Sequence, residues 1–454
     1  MVSQKTTTFS AYRRAAQALL PLEVWVVAGV VAGSMLSSRL LPYTLGAAAV
    51  FWPLRWIATG RLSRRSPVDW AVALLVLMVP VTLWATALPD LTQPQVLRLL
   101  SGILLFYAIL NWAHSASRLR LLAFGAILAG LGLAAMAPFS VEWSVSKLPF
   151  IPAELYQRFT LLVSDTVHPN VLAGNLALLF PLALALPLFA GRKLAWYHHM
   201  WILAAAVGMG TILFLTKSRG AWMGVAAVLL LLPALRWRWG WLLWLVGAAA
   251  AGFAVTRLGL PNLLDMLSTS GTVSGLEGRV EIWSRAIYMI QDFPFTGVGM
   301  GSFMRVADLL YPFFLAAPGT IEHAHNIFLQ VAVDLGIPGL IAWLAILLMV
   351  VFSSWQVYRW GRRTNDWLLA ALGASLLSSQ LALVVHGITD AVVWGMVRPA
   401  PLVWALWALA FAAANLSLVP IQDQAAELVE AELPQAAPSS APTSQRETQI
   451  MRNP

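Results

Sequence analysis

Runs of apolar residues recur along this chain at roughly 20–38, 40–59, 68–88, 96–113, 119–138, 170–190, 197–216, 220–236, 240–257, 326–354, 366–386 and 400–418. Each matches the ~20 residues that an α-helix needs to cross a bilayer, where every backbone polar group must be satisfied within the helix. Only 11% of the residues are charged and 59% are hydrophobic, whereas a soluble domain carries about 25% charge to meet water. The pattern predicts an all-α polytopic membrane protein of about twelve transmembrane helices. The 22 tryptophans suit belts at the membrane–water interfaces. The chain has no cysteine, which excludes disulfide and thiolate chemistry. It has no internal repeat, so nothing points to an inverted-repeat transporter.

Charge sets the topology. Residues 1–19 are polar and basic and read as a cytoplasmic N-terminus. The first apolar run leads directly into further spans, so it reads as an anchor rather than a cleaved signal. With alternation from an inside start, the inner loops hold Arg55, Arg61, Arg64 and Arg65; Arg118 and Arg120; Arg192 and Lys193; Arg236 and Arg238; and Arg359, Arg362 and Arg363. Every inner loop is basic, as the positive-inside rule asks. The same register makes residues 20–419 the membrane domain, places a large extracytoplasmic loop at 258–325 between helices 9 and 10, and leaves 420–454 as a disordered cytoplasmic tail rich in Ala, Pro, Gln, Ser and Glu. A second set of cations falls outside: Arg39, Arg98, Lys147, Arg158, Lys217, Arg219, Arg257, Arg279, Arg285, Arg305 and Arg398. Long outer loops translocate whatever their charge, so solvated arginine is the plain reading for several of these. Lys217 and Arg219 differ, because they sit in a very short turn between two apolar runs, where charge is costly and tends to be functional.

Four outer segments carry candidate chemistry. Thr216–Trp222 puts Arg219 at a helix start, where a guanidinium and exposed N–H groups both attract an anion, although a snorkelling arginine would look the same. From Gly278 a helix is expected, with Arg279 at its N-terminus and Arg285 further along, ended by Asp292-Phe293-Pro294 and followed by the glycine turn Gly297–Gly301. Glu322-His323-Ala324-His325-Asn326 runs into the tenth span, where a histidine can take a proton near neutral pH. The His-x-His pair also permits a metal, but zinc wants three or four ligands and no further ligand cluster is visible. Arg158 and Asp165–Asn170 form the fourth segment, with Pro169 opening a span and His168 at its boundary. In the last short outer turn, Asp390 and Arg398 are placed to pair with each other; His386, nearby, has no evident role. Arginines from separate outer loops beside a histidine, without a metal motif, fit a site that holds a diphosphate and deprotonates a hydroxyl.

The order of these motifs resembles the O-antigen ligase / O-antigen polymerase superfamily of bacterial envelope glycosyltransferases. The matching pieces are Ser218-Arg219-Gly220, Gly278–Trp283, Pro294-Phe295-Thr296-Gly297-Val298-Gly299, and His325-Asn326 with Gly336-Ile337-Pro338-Gly339 downstream, over about 216–340. The resemblance implies a metal-independent, glycosyltransferase-C-like enzyme of the bacterial cytoplasmic (inner) membrane with no cofactor. It implies an undecaprenyl-diphosphate-linked glycan as donor and a hydroxyl of a glycolipid, glycan or protein as acceptor, with membrane lipid as surroundings and no nucleic acid partner. By the same analogy His325 is the base, Arg219, Arg279 and Arg158 bind the donor diphosphate, and His323, Lys217, Arg285 and Arg398 support them. The rival reading is a non-catalytic transporter or flippase of lipid-linked saccharide, which would place charges at mid-membrane in broken helices.

Overall fold

A computed structural model describes residues 12–141, 167–259, 276–391, 393–394 and 401–432. The expectations for Lys147, Arg158 and Arg398 lie outside the described residues. The chain divides into one compact unit, Met1–Ser417, and a second, Leu418–Pro454.

The described residues are helical apart from one isolated bridge, Val141 to Val167. In chain order the longer helices are α1 (Glu23–Leu36), α2 (Leu41–Thr59), α3 (Asp69–Ala85), α4 (Pro89–Trp112), α5 (Ala116–Ser140), α6 (Pro169–Ala190), α7 (Trp196–Leu215), α8 (Arg219–Arg236), α9 (Leu242–Leu258), α10 (Leu276–Asp292), α11 (Phe303–Leu310), α12 (Ile327–Arg363), α13 (Trp367–Gly387) and α14 (Pro401–Glu432). Eight described helices are long and apolar enough to cross a membrane, and three more, over 69–85, 242–258 and 401–417, are apolar but shorter. The chain is a multi-pass membrane protein; the expected count of about twelve spans exceeds the eight that meet both criteria. The last helix also runs on to Glu432, past the expected end near 419. Ala, Gln, Glu and Leu, all good helix formers, make up most of that extension.

The core is built around α13. It packs between α12, α6 and α8, and nearly all of its small and apolar residues from Leu368 to Gly387 are buried. In a bilayer, helices associate through close packing rather than through exclusion of water, and small residues allow that approach. Gly224 of α8 illustrates it: a Cβ there would fall 3.1 Å from the Ala382 carbonyl oxygen.

The interval expected as an outer loop is folded where it is described. Ile282, Ala286 and Met289 of α10 join Phe303 and Ala307 of α11, Val298, Ile321, Ala324 and Val333 in a second apolar core. The helical spacing of these residues gives each short helix one apolar face, and the two faces bury each other. Glu281 and Arg285 tie down the far end of this cap. The Glu281 carboxylate accepts the amides of Phe314 (2.6 Å) and Leu315 (3.1 Å), while Arg285 Nε donates to the Pro312 carbonyl at 3.1 Å.

The cap is stitched into the membrane domain at a break in α12. Gly336 has φ 70° and ψ −177°, a conformation open to glycine and costly for other residues. The break separates Val333 from Ile337, which would otherwise bond within the helix. Instead the Val333 carbonyl accepts from Val298 N (2.8 Å), and Ile337 N donates to the Pro294 carbonyl (2.7 Å). The Asp334 carbonyl faces Pro338, which has no N–H, and accepts the Thr82 hydroxyl at 3.2 Å. The Pro294–Gly301 turn thus enters the helix and takes up the Val333 carbonyl and the Ile337 amide, while Thr82 takes the Asp334 carbonyl.

Candidate functional site

The turn that ends α13, His386 to Asp390, gathers three other parts of the sequence, Ser218–Gly220, Arg279 and His323–Asn326. Thr389 N and Asp390 N both donate to the His386 carbonyl, at 2.9 and 3.0 Å, which fixes the turn. Gly220 packs so closely on it that a Cβ would fall 2.6 Å from His386 Cδ2, and Ser218 Oγ lies 3.4 Å from His386 Nε2. This contact seats the start of α8, and with it the half-buried Arg219. Arg279, in the first turn of α10, donates from its guanidinium to the Thr389 carbonyl. Asn326 Oδ1 caps α12 by accepting Phe328 N and Leu329 N (3.0 and 3.1 Å), while its Nδ2 donates to the Ile388 carbonyl at 3.2 Å. Asn326 therefore starts the helix and anchors it to the same turn.

The two histidines converge on Asp390. His323 Nε2 and His325 Nδ1 each lie 3.6 Å from Asp390 Oδ1, and the two rings are 4.3 Å apart. Asp390 is 7% exposed, His323 16% and His325 30%, so the carboxylate lies at the bottom and His325 at the mouth. His323 Nδ1 accepts the His325 amide at 3.2 Å, so its proton sits on Nε2, facing Asp390. Burial pushes the His323 imidazole down to about 4, against the pull of Asp390, and keeps it neutral. Burial also pushes the Asp390 carboxyl up, but His325 and the imidazoles of His323 and His386 outweigh it and hold the group well below the usual carboxylate range. Arg279 is lowered by burial and supported by Asp390, and remains a cation.

His325 has φ +46° and Lys217 φ +51°; among the described residues Asn365 is the only other non-glycine with a positive φ. Such backbone persists where surrounding contacts over-determine it, and two of the three instances lie at this site. With Nδ1 turned to Asp390, His325 Nε2 has no hydrogen-bond partner among the described residues. A neutral imidazole in that orientation can accept a proton at Nε2.

His323, His325 and Asp390 offer ligand atoms within 4.8 Å of one another, so the grouping was testable as a metal site. The fit is poor. A metal needs an unprotonated nitrogen, and His323 Nε2 carries the proton because Nδ1 is already accepting an amide. The grouping suits an acid–base pair with a second, neutral histidine packed beside it.

The sequence-predicted residues separate as follows. His325, His323, Arg219, Arg279 and Lys217 come together at or beside the turn. Arg285 is engaged with Glu281 (3.5 Å), the Pro312 carbonyl and the Phe314 ring, and serves the cap. His168 caps α6, its Nδ1 accepting Asn170 N at 3.2 Å, and lies near enough to act on His323. Asp390 contacts both histidines; the expected Asp390–Arg398 pairing lies outside the described residues. Sequence reasoning missed Asp390 and His386 as site residues. A signal was present: Asp390 is the one acid between Asp366 and Asp423, in an otherwise apolar stretch.

Among known families, residues 204–344 match the model described as O-antigen ligase. The matched stretch runs from α7 to the middle of α12 and contains Arg219, Arg279, His323 and His325; Asp390 lies beyond it. A search of curated proteins gives no match. The motifs that converge on the turn lie within the matched stretch, and over residues 204–344 the chain is similar to the O-antigen ligase family.

Proposed function

We propose that this protein transfers a glycan from an undecaprenyl-diphosphate-linked donor to an acceptor hydroxyl at the outer face of the bacterial cytoplasmic membrane. The observation that carries the reading is the convergence of His325, Arg279 and the Ser218-Arg219-Gly220 turn on the Asp390 turn. His325 Nε2 takes the proton of the acceptor hydroxyl. The oxygen attacks the anomeric carbon, and the bond from that carbon to the diphosphate breaks with its electrons leaving on the diphosphate. Attack opposite the leaving group inverts the anomeric centre. Arg219 and Arg279 hold the departing diphosphate, with Arg158 in the same role, and Lys217 adds charge at the rim. Asp390 acts as a positioning residue, orienting His325 and stabilising its protonated form. No metal takes part. The acceptor is a hydroxyl on a glycolipid, a glycan or a protein. Both termini lie on the cytoplasmic side, as the basic inner loops require.

A transporter of the same glycolipid would use a charge at a helix break to bind its cargo. Here the acid at the break, Asp334, is engaged with the protein itself: Gln330 Nε2 and Trp394 Nε1 donate to it at 2.9 and 2.8 Å, and Gly301 N at 3.3 Å. Reconstitution of the purified protein with lipid-diphosphate glycan, a hydroxyl acceptor and excess chelator separates the two. The expected outcome is a new glycosidic bond with release of the lipid diphosphate. Movement of intact glycolipid across the bilayer without bond formation would sink the transferase reading.

A further inference from the structure

At the other ends of the helices lies a second polar site that the transfer reaction does not use. α4 begins beside the cap, where Thr92 Oγ1 lies 3.4 Å from Ser302 Oγ, and crosses to Trp112. α5 starts at Ala116 and returns to Val141, which bridges to Val167 just before α6. The Trp112–Ala116 connection is therefore on the face opposite the histidine cluster. A cavity of about 480 Å³ opens there, lined among others by Arg55, Arg61, Arg64, Asn111, His114 and Arg118.

Two of these side chains are buried with a donor left over. Asn111 is 6% exposed, and its Oδ1 accepts Arg64 N (2.9 Å) and Ser63 Oγ (3.2 Å). The backbone donor fixes the amide's orientation, so Nδ2 is the unsatisfied group. Arg55 is 8% exposed and paired with Glu23, yet its Nε has no partner among the described residues. Buried donors without partners are rare and call for an acceptor. Glu23 is the only acid in the lining and is engaged with Arg55, so Arg61, Arg64 and Arg118 are not compensated there. Arg118 is held in place by the Trp112 carbonyl (2.8 Å) and His114, with its guanidinium 4.9 Å from the Trp112 ring centre. His114 is pushed below its ordinary value by burial and by Arg118 and Arg64.

The neighbouring face of α2 identifies the source of the anion. Trp52, Pro53 and Trp56 of α2 with Leu62 line an open, almost wholly apolar groove of about 530 Å³. On the helix Trp52 and Trp56 sit roughly 60° and 100° round from Arg55. A basic, donor-rich cavity beside an apolar groove, at the end of membrane-crossing helices, has the two-part chemistry of a phospholipid. We propose that this cavity binds the phosphate headgroup of an anionic phospholipid, with an acyl chain in the α2 groove.

The test uses the full chain in detergent and reads retained lipid by native mass spectrometry, with phosphatidylglycerol, phosphatidylcholine and inorganic phosphate as probes. Phosphatidylglycerol should be retained in preference to phosphatidylcholine. The exposed pair R61Q/R64Q should weaken retention about 25-fold, at roughly fivefold per arginine near an anionic headgroup. N111D keeps the oxygen that Arg64 N and Ser63 use but replaces the unsatisfied donor with a negative charge, and should also lose retention. Equal retention of the two lipids, or unchanged retention in both variants, overturns the proposal. Binding of inorganic phosphate with no preference for phosphatidylglycerol would assign the cavity to a soluble phosphate and overturn the lipid assignment.

Discussion

Asp390 decides what the two histidines can do. Held at 3.6 Å from both, it can support one imidazolium, and the proposed base is His325, the more exposed ring. D390N keeps the shape and removes the charge. The expected result is a transfer rate lower by about 100-fold, within the range for a general base and its support. Donor binding should change little, so the loss falls on the rate of transfer. A purely structural Asp390 would lower stability and leave the rate per folded molecule unchanged. His323 titrates in the opposite sense to a paired histidine. Its folded value of about 4 lies below the ordinary 6.5, so the unfolded chain binds the proton first. Its contribution is whole above about pH 6.5 and is lost as the pH falls towards 4, at most a few kcal/mol. Thermal unfolding of the detergent-solubilised protein should show a midpoint that drops over this window, and H323Q should flatten the slope. The sequence made His325 legible because it opens a span and precedes Asn326, but it did not reveal Asp390. The partner comes 65 residues later, at the far end of another helix, and spacing along the chain carries no record of that contact.

At the scale of elements, the break in α12 holds the cap in register with the catalytic turn. Asp334 accepts from the cap (Gly301 N), from α12 itself (Gln330) and from the segment after α13 (Trp394). D334N would set an amide donor against donors, costing about 1–3 kcal/mol for the group left unpaired. G336A forces a side chain into φ +70° next to the Pro294 carbonyl, with strain of about 1–3 kcal/mol. Both variants should speed limited proteolysis within 294–301 and lower transfer without changing its pH profile; unaltered protection would show that the cap is held by other means. The sequence made the parts of this junction visible, as a glycine turn and a Gly-Ile-Pro-Gly string, but read them as separate turns. Their relation is a swap of backbone partners between residues far apart, and periodicity carries no record of that. The amphipathic spacing of α10 was legible; the cap core it forms with α11 was not, because its other half is supplied by Val298, Ile321, Ala324 and Val333.

For the whole molecule, apolar runs and basic loops made the membrane class readable at once, because a bilayer constrains length and charge more strongly than water does. Helix ends were less readable: α14 extends beyond the apolar stretch, into a segment rich in helix formers. The proposed orientation can be tested directly, since a chain without cysteine accepts single reporters. R305C, on the exposed face of α11, should react with a membrane-impermeant maleimide in intact spheroplasts; R363C, at the end of α12, should react only after lysis. The reverse pattern would invert the topology and move the site to the cytoplasmic side. The claim that the rest depends on is that His325 removes the acceptor's proton. Transfer measured in proteoliposomes with H325A and H323A side by side tests it most directly. The account predicts that H325A loses at least about 100-fold in rate while still binding the lipid-diphosphate donor, and that H323A retains more activity. Transfer by H325A at the wild-type rate would contradict it.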